Sequence, residues 1–580
     1  MNYHDRRDAR KDIDHIFKDL LPIHGMPERP EQIALSHRML EAMQGGGIAL
    51  CDAGTGIGKT YAYLVAGIVF HGSPPSRPVL VSTSSIALQK AVRDEYLPFL
   101  SAVLMADGMI SVPIEAVIRK GKSHYVCDQR LERRLGQLDL RKKNWRAGNA
   151  LLSLRETLDL DEAPRLSGYD RERVCVPKVC DCGREDCRYH AFLDSCDGSQ
   201  YSFQICNHNL LLADAIHRGT SRQPILPDSL AVIIDEAHKL PETARLLVAP
   251  NRAFTVVRKQ VNPLLSPATR KRLDKLASTV ALFSEGRPDM VFYLAEDARD
   301  TVMLCATVAD LTAQLQSTLW SQPRPIILTS GTLAVGSDFR RFREEAGLLE
   351  DSRVTESVSF SPFDYRENCL LYVPQFPPGQ RNEAYYDKLT NEIALLLDAA
   401  CGHALVLFTS YAAMSAVKER LTAKDQLWPL FTLGRNAGRT TEQFKASPGS
   451  VLLATGAAWE GFDFPGECVS LLVIPRLPFA RPDALKEKER EAFPNLHSFI
   501  QAIVVPEMQI KLKQGFGRAI RTETDTCVVA ILDERSVPGQ RYFEDVKTAL
   551  PDMRITDSLQ EVEAFIRSVK EPGYFREGSR

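Results

Sequence analysis

Three stretches of this 580-residue sequence place side chains where phosphate chemistry needs them. Ala53-Gly54-Thr55-Gly56-Ile57-Gly58-Lys59-Thr60 spaces its glycines so that consecutive backbone N–H groups can converge on phosphate oxygens ahead of a helix N-terminus. Gly54, Thr55, Gly56 and Gly58 would then cradle a nucleotide such as ATP, Lys59 would reach its outer phosphates, and the Thr60 hydroxyl would ligate Mg2+. Ala53 stands where the strict pattern has glycine. Asp235-Glu236-Ala237-His238 closes an apolar run with two adjacent carboxylates. Asp235 suits magnesium, directly or through water, and Glu236 suits an attacking water that must be polarised. Four letters alone carry little weight; behind a phosphate loop in the same sheet they carry much more. The third stretch is Gln514-Gly515-Phe516-Gly517-Arg518-Ala519-Ile520-Arg521. Arginines three apart on a helix share a face, and from a separate lobe Arg518 and Arg521 could neutralise a transferring phosphate only when the lobes close. A solvated basic helix is the plain alternative.

A fourth group is built on sulfur. Seven of the thirteen cysteines lie between Cys127 and Cys206, while the other six stand singly at mostly apolar positions, as buried inert thiols do. Four thiolates can hold a [4Fe–4S] cluster or a structural zinc ion, and a metal-free domain is the third alternative.

The elements that must position these groups follow from periodicity. Apolar runs at Ile48, Val79–Ser82, Ala231–Ile234 and in RPIILTSGTL alternate with helical patterns, which implies an α/β fold with a parallel sheet and ligands at the carboxyl ends of its strands. A charged, cysteine-rich interruption from about 105 to 200 is too long for a loop. Residues 241–320, with RKQVNPLLSPATRKRLDKLASTVALF, read as a second, mainly helical insertion. From about 360 a new alternation supplies five more strands, in ENCLLYVPQF, HALVLFTSY, SVLLATG, VSLLVIPRLPF and TCVVAILDER, with a helix around Tyr385 to Ala399.

Composition bounds the rest. Apolar residues make up 44% and charged residues 25%, as in ordinary globular proteins, and 580 residues predict two to four domains. No apolar stretch reaches the roughly 18 residues of a spanning helix and no signal core opens the chain, so a cytoplasmic protein without membrane partners is expected. The net charge of -2 places any polyanion site in local clusters such as Arg119-Lys120-Gly121-Lys122 or Arg141-Lys142-Lys143, which are otherwise solvated faces. Ile13, Ile16, Phe17, Leu20 and Leu21 form an amphipathic run that either packs on the first lobe or binds a partner.

Taken in order, RPEQ, AGTGIGKT, VSTSSIALQ, KGKSHYVC, CNHNLLLAD, DEAH, TSGTL, LVLFTSY, GAAWEGFDFPG, RLPFARP and QGFGRAIR resemble the XPD/DinG family of superfamily 2 helicases. The resemblance spans about residues 26 to 535. It implies two RecA-like lobes and ATP- and Mg2+-dependent 5′-to-3′ movement on single-stranded DNA with unwinding of duplex DNA, by a monomeric motor. The implied division is an N-terminal segment (1–28), a first lobe in three parts (29–104, 201–240, 321–355) interrupted by an iron–sulfur-type insertion (105–200) and an arch insertion (241–320), and a second lobe (356–580). Carried over by motif, Gln32 would read adenine, Thr83 and Gln89 would touch the DNA backbone, and Ser330, Gly331 and Thr332 would couple hydrolysis to movement. Glu460, Gly461 and Asp463 would do the same from the second lobe, and Gln514, Arg518 and Arg521 would line the nucleotide site. The implied cluster ligands are Cys127, Cys175, Cys180 and Cys187, with Cys182 and Cys196 as substitutes. The short form resembles the DinG-type helicase of type IV CRISPR systems, which works on a guide-RNA ribonucleoprotein complex. A housekeeping DinG-like helicase acting in repair or R-loop resolution is the competing expectation, and an ATP-driven switch that binds without unwinding is another. No nuclease metal constellation is present in the sequence.

Overall fold

A computed structural model of the chain describes residues 8–72, 77–138, 145–163, 166–177, 180, 187–198, 200–220, 222–248, 254–255, 283, 290–296, 302–376, 382–424, 428–433, 437–459, 464, 466–520 and 522–575. Its frame is two seven-stranded sheets. In chain order the first holds Ile48–Ala53 (β1), Val79–Thr83 (β2), Ala116–Ile118 (β3), Phe203–Cys206 (β4) and Ala231–Asp235 (β5). Phe254–Thr255 (β6), Met290–Glu296 (β7) and Val302–Val308 (β8) form a separate three-stranded antiparallel sheet, after which Ile326–Ser330 (β9) and Val354–Ser359 (β10) complete the first sheet. The second sheet comprises Cys369–Tyr372 (β11), Ala404–Phe408 (β12), Leu430–Thr432 (β13), Val451–Thr455 (β14), Leu471–Ile474 (β15), Cys527–Ile531 (β16) and Arg554–Thr556 (β17).

The strand orders are β10-β1-β9-β5-β2-β4-β3 and β13-β14-β12-β15-β16-β11-β17, and every pairing within them is parallel. Parallel strands carry helices on both faces, so their residues are buried on both sides and read as unbroken apolar runs. That is the case for IALCDA, AVIID, IILTS, ALVLF and CVVAI, buried at every position.

The two-sheet α/β architecture is the one expected, with three differences in detail. β10 joins the first sheet beside β1, so that sheet runs to Ser359, past the expected limit at 355. Its sequence VTESVS shows no apolar run because it is an edge strand with one open side. β3 likewise belongs to the first sheet, so the first insertion leaves after Ile118 and returns at β4, its immediate neighbour. Within 241–320 the described residues include a β-hairpin, Met290 opposite Val308. MVFYLAE and VMLCATV alternate with a period of two and are rich in β-branched and aromatic residues. The expected helical stretch RKQVNPLLSPATRKRLDKLASTVALF, apart from Phe283, lies outside the described residues. No helix among the described residues is long and apolar enough to cross a membrane.

Ile13, Ile16, Phe17, Leu20 and Leu21 are all buried, in one core with the Pro30–Gly45 and Lys59–His71 helices. The N-terminal run therefore packs on the first lobe, against the helix that follows the phosphate loop. Phe17→Ala is expected to destabilise that lobe by about 3–5 kcal/mol. The measurement is the midpoint of its urea unfolding transition, and an unshifted midpoint would show that the segment is undocked in solution.

Candidate active site at the lobe interface

β1 delivers the glycine-rich loop at its carboxyl end. Gly56 and Gly58 have φ of 80° and 82°, and Gly58 caps the Lys59–His71 helix. Both positions are also crowded. A Cβ on Gly56 would fall 1.9 Å from Phe363 Cζ, and one on Gly58 would fall 2.1 Å from Gln32 Nε2. The loop is held from behind by Arg29 Nη1, which donates to the Gly56 carbonyl at 2.8 Å, and by Gln32 Nε2, which donates to the Gly58 carbonyl at 2.8 Å. The Gln32 carboxamide is thus buried and engaged with the loop itself.

β5 ends in the two acids. Asp235 is buried, and its Oδ1 accepts from the Glu236 N–H at 2.9 Å. The Tyr63 hydroxyl donates to Asp235 Oδ2 at 3.3 Å and also hydrogen-bonds Thr60, so the two candidate magnesium ligands stand one phenol apart. Burial, reinforced by the neighbouring Glu236 carboxylate, pushes Asp235 above the ordinary carboxyl range. Burial acts on Glu236 too, but Lys59 Nζ at 3.7 Å and His238 outweigh it and hold Glu236 well below that range. Glu236 adopts φ 53°, a left-handed conformation that a non-glycine residue keeps only when its surroundings impose it. A pair of acids split in this way leaves one strong anion facing the phosphate-loop lysine.

Ser330, at the end of β9, bonds His238 Nδ1 at 2.8 Å and Glu236 Oε2 at 3.3 Å, and its Oγ lies 3.3 Å from Thr332 Oγ1. Thr332 in turn accepts from Gln514 Nε2 of the second lobe at 3.4 Å. A chain of contacts therefore runs Glu236–Ser330–Thr332–Gln514 across the cleft. Lys513 adds a stronger link, donating to Asp52 Oδ1 at 2.9 Å and to the Ala334 carbonyl at 3.3 Å. Arg518 Nε approaches the Trp459 carbonyl at 3.5 Å. The cleft so formed measures about 950 Å³ and is lined by Thr55, Lys59, Glu236 and Thr332 from one lobe and by Gln514 and Arg518 from the other. Arg521, Glu460, Gly461 and Asp463 lie outside the described residues.

Thr83 and Gln89, expected to touch a DNA backbone, are buried and bond each other instead, Gln89 Nε2 donating to the Thr83 carbonyl at 3.3 Å. The reason is topological. Thr83 ends β2, in register with Asp235, so its side chain is covered by the sheet's helices, while Ser84 and Ile86 in the following turn are exposed.

Sequence reasoning passed over Asp52, Lys513, Tyr365 and His208. Asp52 had one available signal, a lone acid in the otherwise apolar run IALCDA. The Tyr365 hydroxyl lies 3.2 Å from Thr55 Oγ1, and no spacing connects those two positions. His208 Nδ1 bonds Ser82 Oγ at 2.8 Å and ties the return strand of the first insertion to β2; burial lowers its pKa to about 4.

The cysteines divide between two faces. An antiparallel bridge joins Val126 to Cys175, and side chains alternate along such a pair. Val126 and Cys175 therefore enter one small core, while Tyr125, Cys127 and Val176 enter another with Cys187 and Cys180. Cys175 instead faces Arg130, whose Nη1 lies 3.9 Å from its sulfur. Cys196 is buried near Arg119, and Cys182 lies outside the described residues. Cys127, Cys180 and Cys187 thus share one small apolar cluster while Cys175 borders the other, and Cys180, Cys187 and His190 bring one ligand atom each to within 4.8 Å of one another.

Gly56→Ala is expected to weaken nucleotide binding by at least roughly 5- to 30-fold, the backbone strain alone being about 1–2 kcal/mol. Phe363→Ala in the same chain relieves the overlap and recovers part of the loss. Titration with a fluorescent ATP analogue measures both, and unchanged affinity in the single variant would remove the loop from the site.

Comparison with known proteins agrees with this geometry. Residues 393–553 match the helicase C-terminal domain family. The ATP-dependent DNA helicase YoaA of Haemophilus influenzae is 26% identical, over 94% of this chain and 97% of its own length. The ATP-dependent helicase DinG of Mycobacterium tuberculosis is also 26% identical, over 94% and 96%. Among solved structures an XPD helicase superposes with a TM-score of 0.59 at 16% identity, covering 91% of this chain and 99% of its own, which bears on the fold. The chain is thus similar in sequence to the YoaA and DinG helicases and in fold to the XPD helicase.

Proposed function

We propose that this chain, an ATP-dependent DNA helicase of the DinG/XPD type, translocates 5′-to-3′ on single-stranded DNA and parts the duplex ahead of it. The observation that carries the reading is the cleft itself. A phosphate loop and an acid pair on one sheet meet Lys513, Gln514 and Arg518 from the other, so the site is complete only when the lobes are together.

Thr60 and Asp235 would hold magnesium, which when bound neutralises charge on the phosphates. Lys59 pairs with Glu236 in the structure; entry of a triphosphate draws the ammonium to the outer phosphates and leaves Glu236 anionic and free to orient a water. Arg518, with Arg521, supplies positive charge from the opposite lobe. Gln514 reads the state of the site through Thr332 and Ser330, with Glu460, Gly461 and Asp463 assigned the matching role in the second lobe. Closure on ATP and reopening after hydrolysis then alternate the grip of the two lobes on the sugar–phosphate backbone. Such contacts are sequence-independent and salt-sensitive, which local basic surfaces provide despite the net charge of -2.

A finer assignment within this proposal is service to a type IV CRISPR guide-RNA complex. Plasmid interference reconstituted with that complex tests it, and interference that persists without this chain rejects it in favour of a housekeeping role.

Strand displacement with both overhang polarities tests the reading as a whole. Unwinding from a 5′ overhang only is expected. ATPase stimulated by single strands without displacement would establish a binding switch instead, and unwinding from a 3′ overhang would reverse the polarity. Lys59→Ala is expected to abolish hydrolysis and unwinding while single-strand binding persists, and retained hydrolysis would overturn the site.

A further inference from the structure

We propose that Tyr63 is a positioning residue for magnesium: its buried hydroxyl links Thr60 to Asp235 in one hydrogen-bond relay and so sets both ligands before a nucleotide enters. This role rests on the nucleotide site proposed above and adds to it a residue that acts only through the two ligands. Tyr63 lies three positions after Thr60 on the Lys59–His71 helix, hence on the same face, where the helix meets the end of β5. Its side chain is 0% exposed. Tyr61, two positions earlier, leaves the helix on another side and packs its ring edge-on against Tyr96 and Phe99. A phenylalanine would fill position 63 with no polar group to satisfy, whereas a buried phenol costs free energy unless its hydroxyl is bonded. The Tyr63 hydroxyl is bonded twice, to Asp235 and to Thr60.

The direction of the two bonds follows from the groups themselves. A phenol has one proton, and here it goes to Asp235 Oδ2 at 3.3 Å. Thr60 must then supply the proton of the other bond, so the order is Thr60 to Tyr63 to Asp235. A hydroxyl that gives its proton to a neighbour keeps its lone pairs for a cation. Asp235 is held at its other oxygen as well, Oδ1 accepting from the Glu236 N–H at 2.9 Å, so the carboxylate cannot rotate without breaking a bond at each oxygen. Two ligands on different elements, one on a helix and one on a strand, are thereby kept at a fixed separation. Mg2+ demands near-ideal octahedral geometry, with oxygens about 2.0–2.1 Å away, and tolerates misplaced ligands poorly. Groups that orient metal ligands carry about 10- to 100-fold of metal affinity. The contact to Asp235 is longer than a usual O–H···O bond, which puts the expected effect at the low end of that range.

Metal binding can be read without turnover. The full chain is titrated with Mn2+ in the presence of ADP, free Mn2+ being followed by electron paramagnetic resonance, and a fluorescent ADP analogue in EDTA measures nucleotide affinity without metal. Tyr63→Phe is expected to weaken Mn2+ binding about tenfold while metal-free ADP affinity stays unchanged. Tyr61→Phe, the same chemical change on another side of the helix, should alter neither. In a Thr60→Ala background the Tyr63→Phe loss should shrink, because one of the two bonds of the relay is already gone. Unchanged Mn2+ affinity in Tyr63→Phe would overturn the proposal. So would an equal loss of metal-free ADP affinity or a failure to fold, either of which would make the hydroxyl a structural group. Those results leave the helicase reading standing. Wild-type chain that binds no Mn2+ with ADP would instead reject the nucleotide site itself, and the role of Tyr63 with it.

Discussion

One carboxylate, Asp52, joins the parts on which the cleft depends. It lies on β1, immediately before the phosphate loop, at 1% exposure. Its Oδ2 accepts from the Leu333 and Ala334 N–H groups, at 2.7 and 2.8 Å, and fixes the turn after β9. Its Oδ1 accepts from Lys513 of the second lobe. Burying this charge is costly in isolation, and the arrangement is stable because both oxygens are fully engaged. The same atom pair therefore sets the spacing between the phosphate loop, the turn that carries Thr332, and the opposite lobe.

Lys513 belongs to the Val505–Phe516 helix, which makes the interlobe contacts at both its ends. Glu507 in the first turn and Lys513 in the last lie where the helix dipole favours their charges. Glu507 accepts from Arg341 Nη2 at 2.6 Å, and the same arginine bonds Glu489 and Glu345 at 2.6 Å each. Arg341 is almost fully buried, and these carboxylates offset the cost of burying its charge. The helix therefore touches the first lobe at both ends, through Lys513 and through Glu507.

Inside the cleft the chemistry rests on asymmetry between neighbours. Asp235 and Glu236 are adjacent carboxylates, yet burial raises the one while Lys59 and His238 depress the other. Strand pairing produces this split. β5 buries Asp235 between β2 and β9, whereas the left-handed turn at Glu236 swings the next side chain toward the phosphate loop.

The phosphate loop, the acid pair, the alternation of strands and helices and most strands of both sheets were legible in the sequence. They depend on local pattern: glycines where the backbone must turn left-handed, apolar runs where a strand is covered on both faces. Edge strands such as VTESVS escaped because an open side removes the apolar signal, and the hairpin at Met290–Val308 lay in a segment whose helical charge pattern dominated the reading. Which residues meet across long separations was decided by tertiary structure alone. Asp52 and Lys513 are 461 positions apart, and no spacing rule links them. The cysteines make the same point. Counting intervals grouped Cys175 with Cys127, Cys180 and Cys187; that Cys175 borders one small core and the other three the second, and that a His190 ring nitrogen lies within 4.8 Å of the Cys180 and Cys187 sulfurs, is visible only in the fold. Sequence determines which chemistry is available; the direction in which each side chain leaves the backbone determines which of it is assembled.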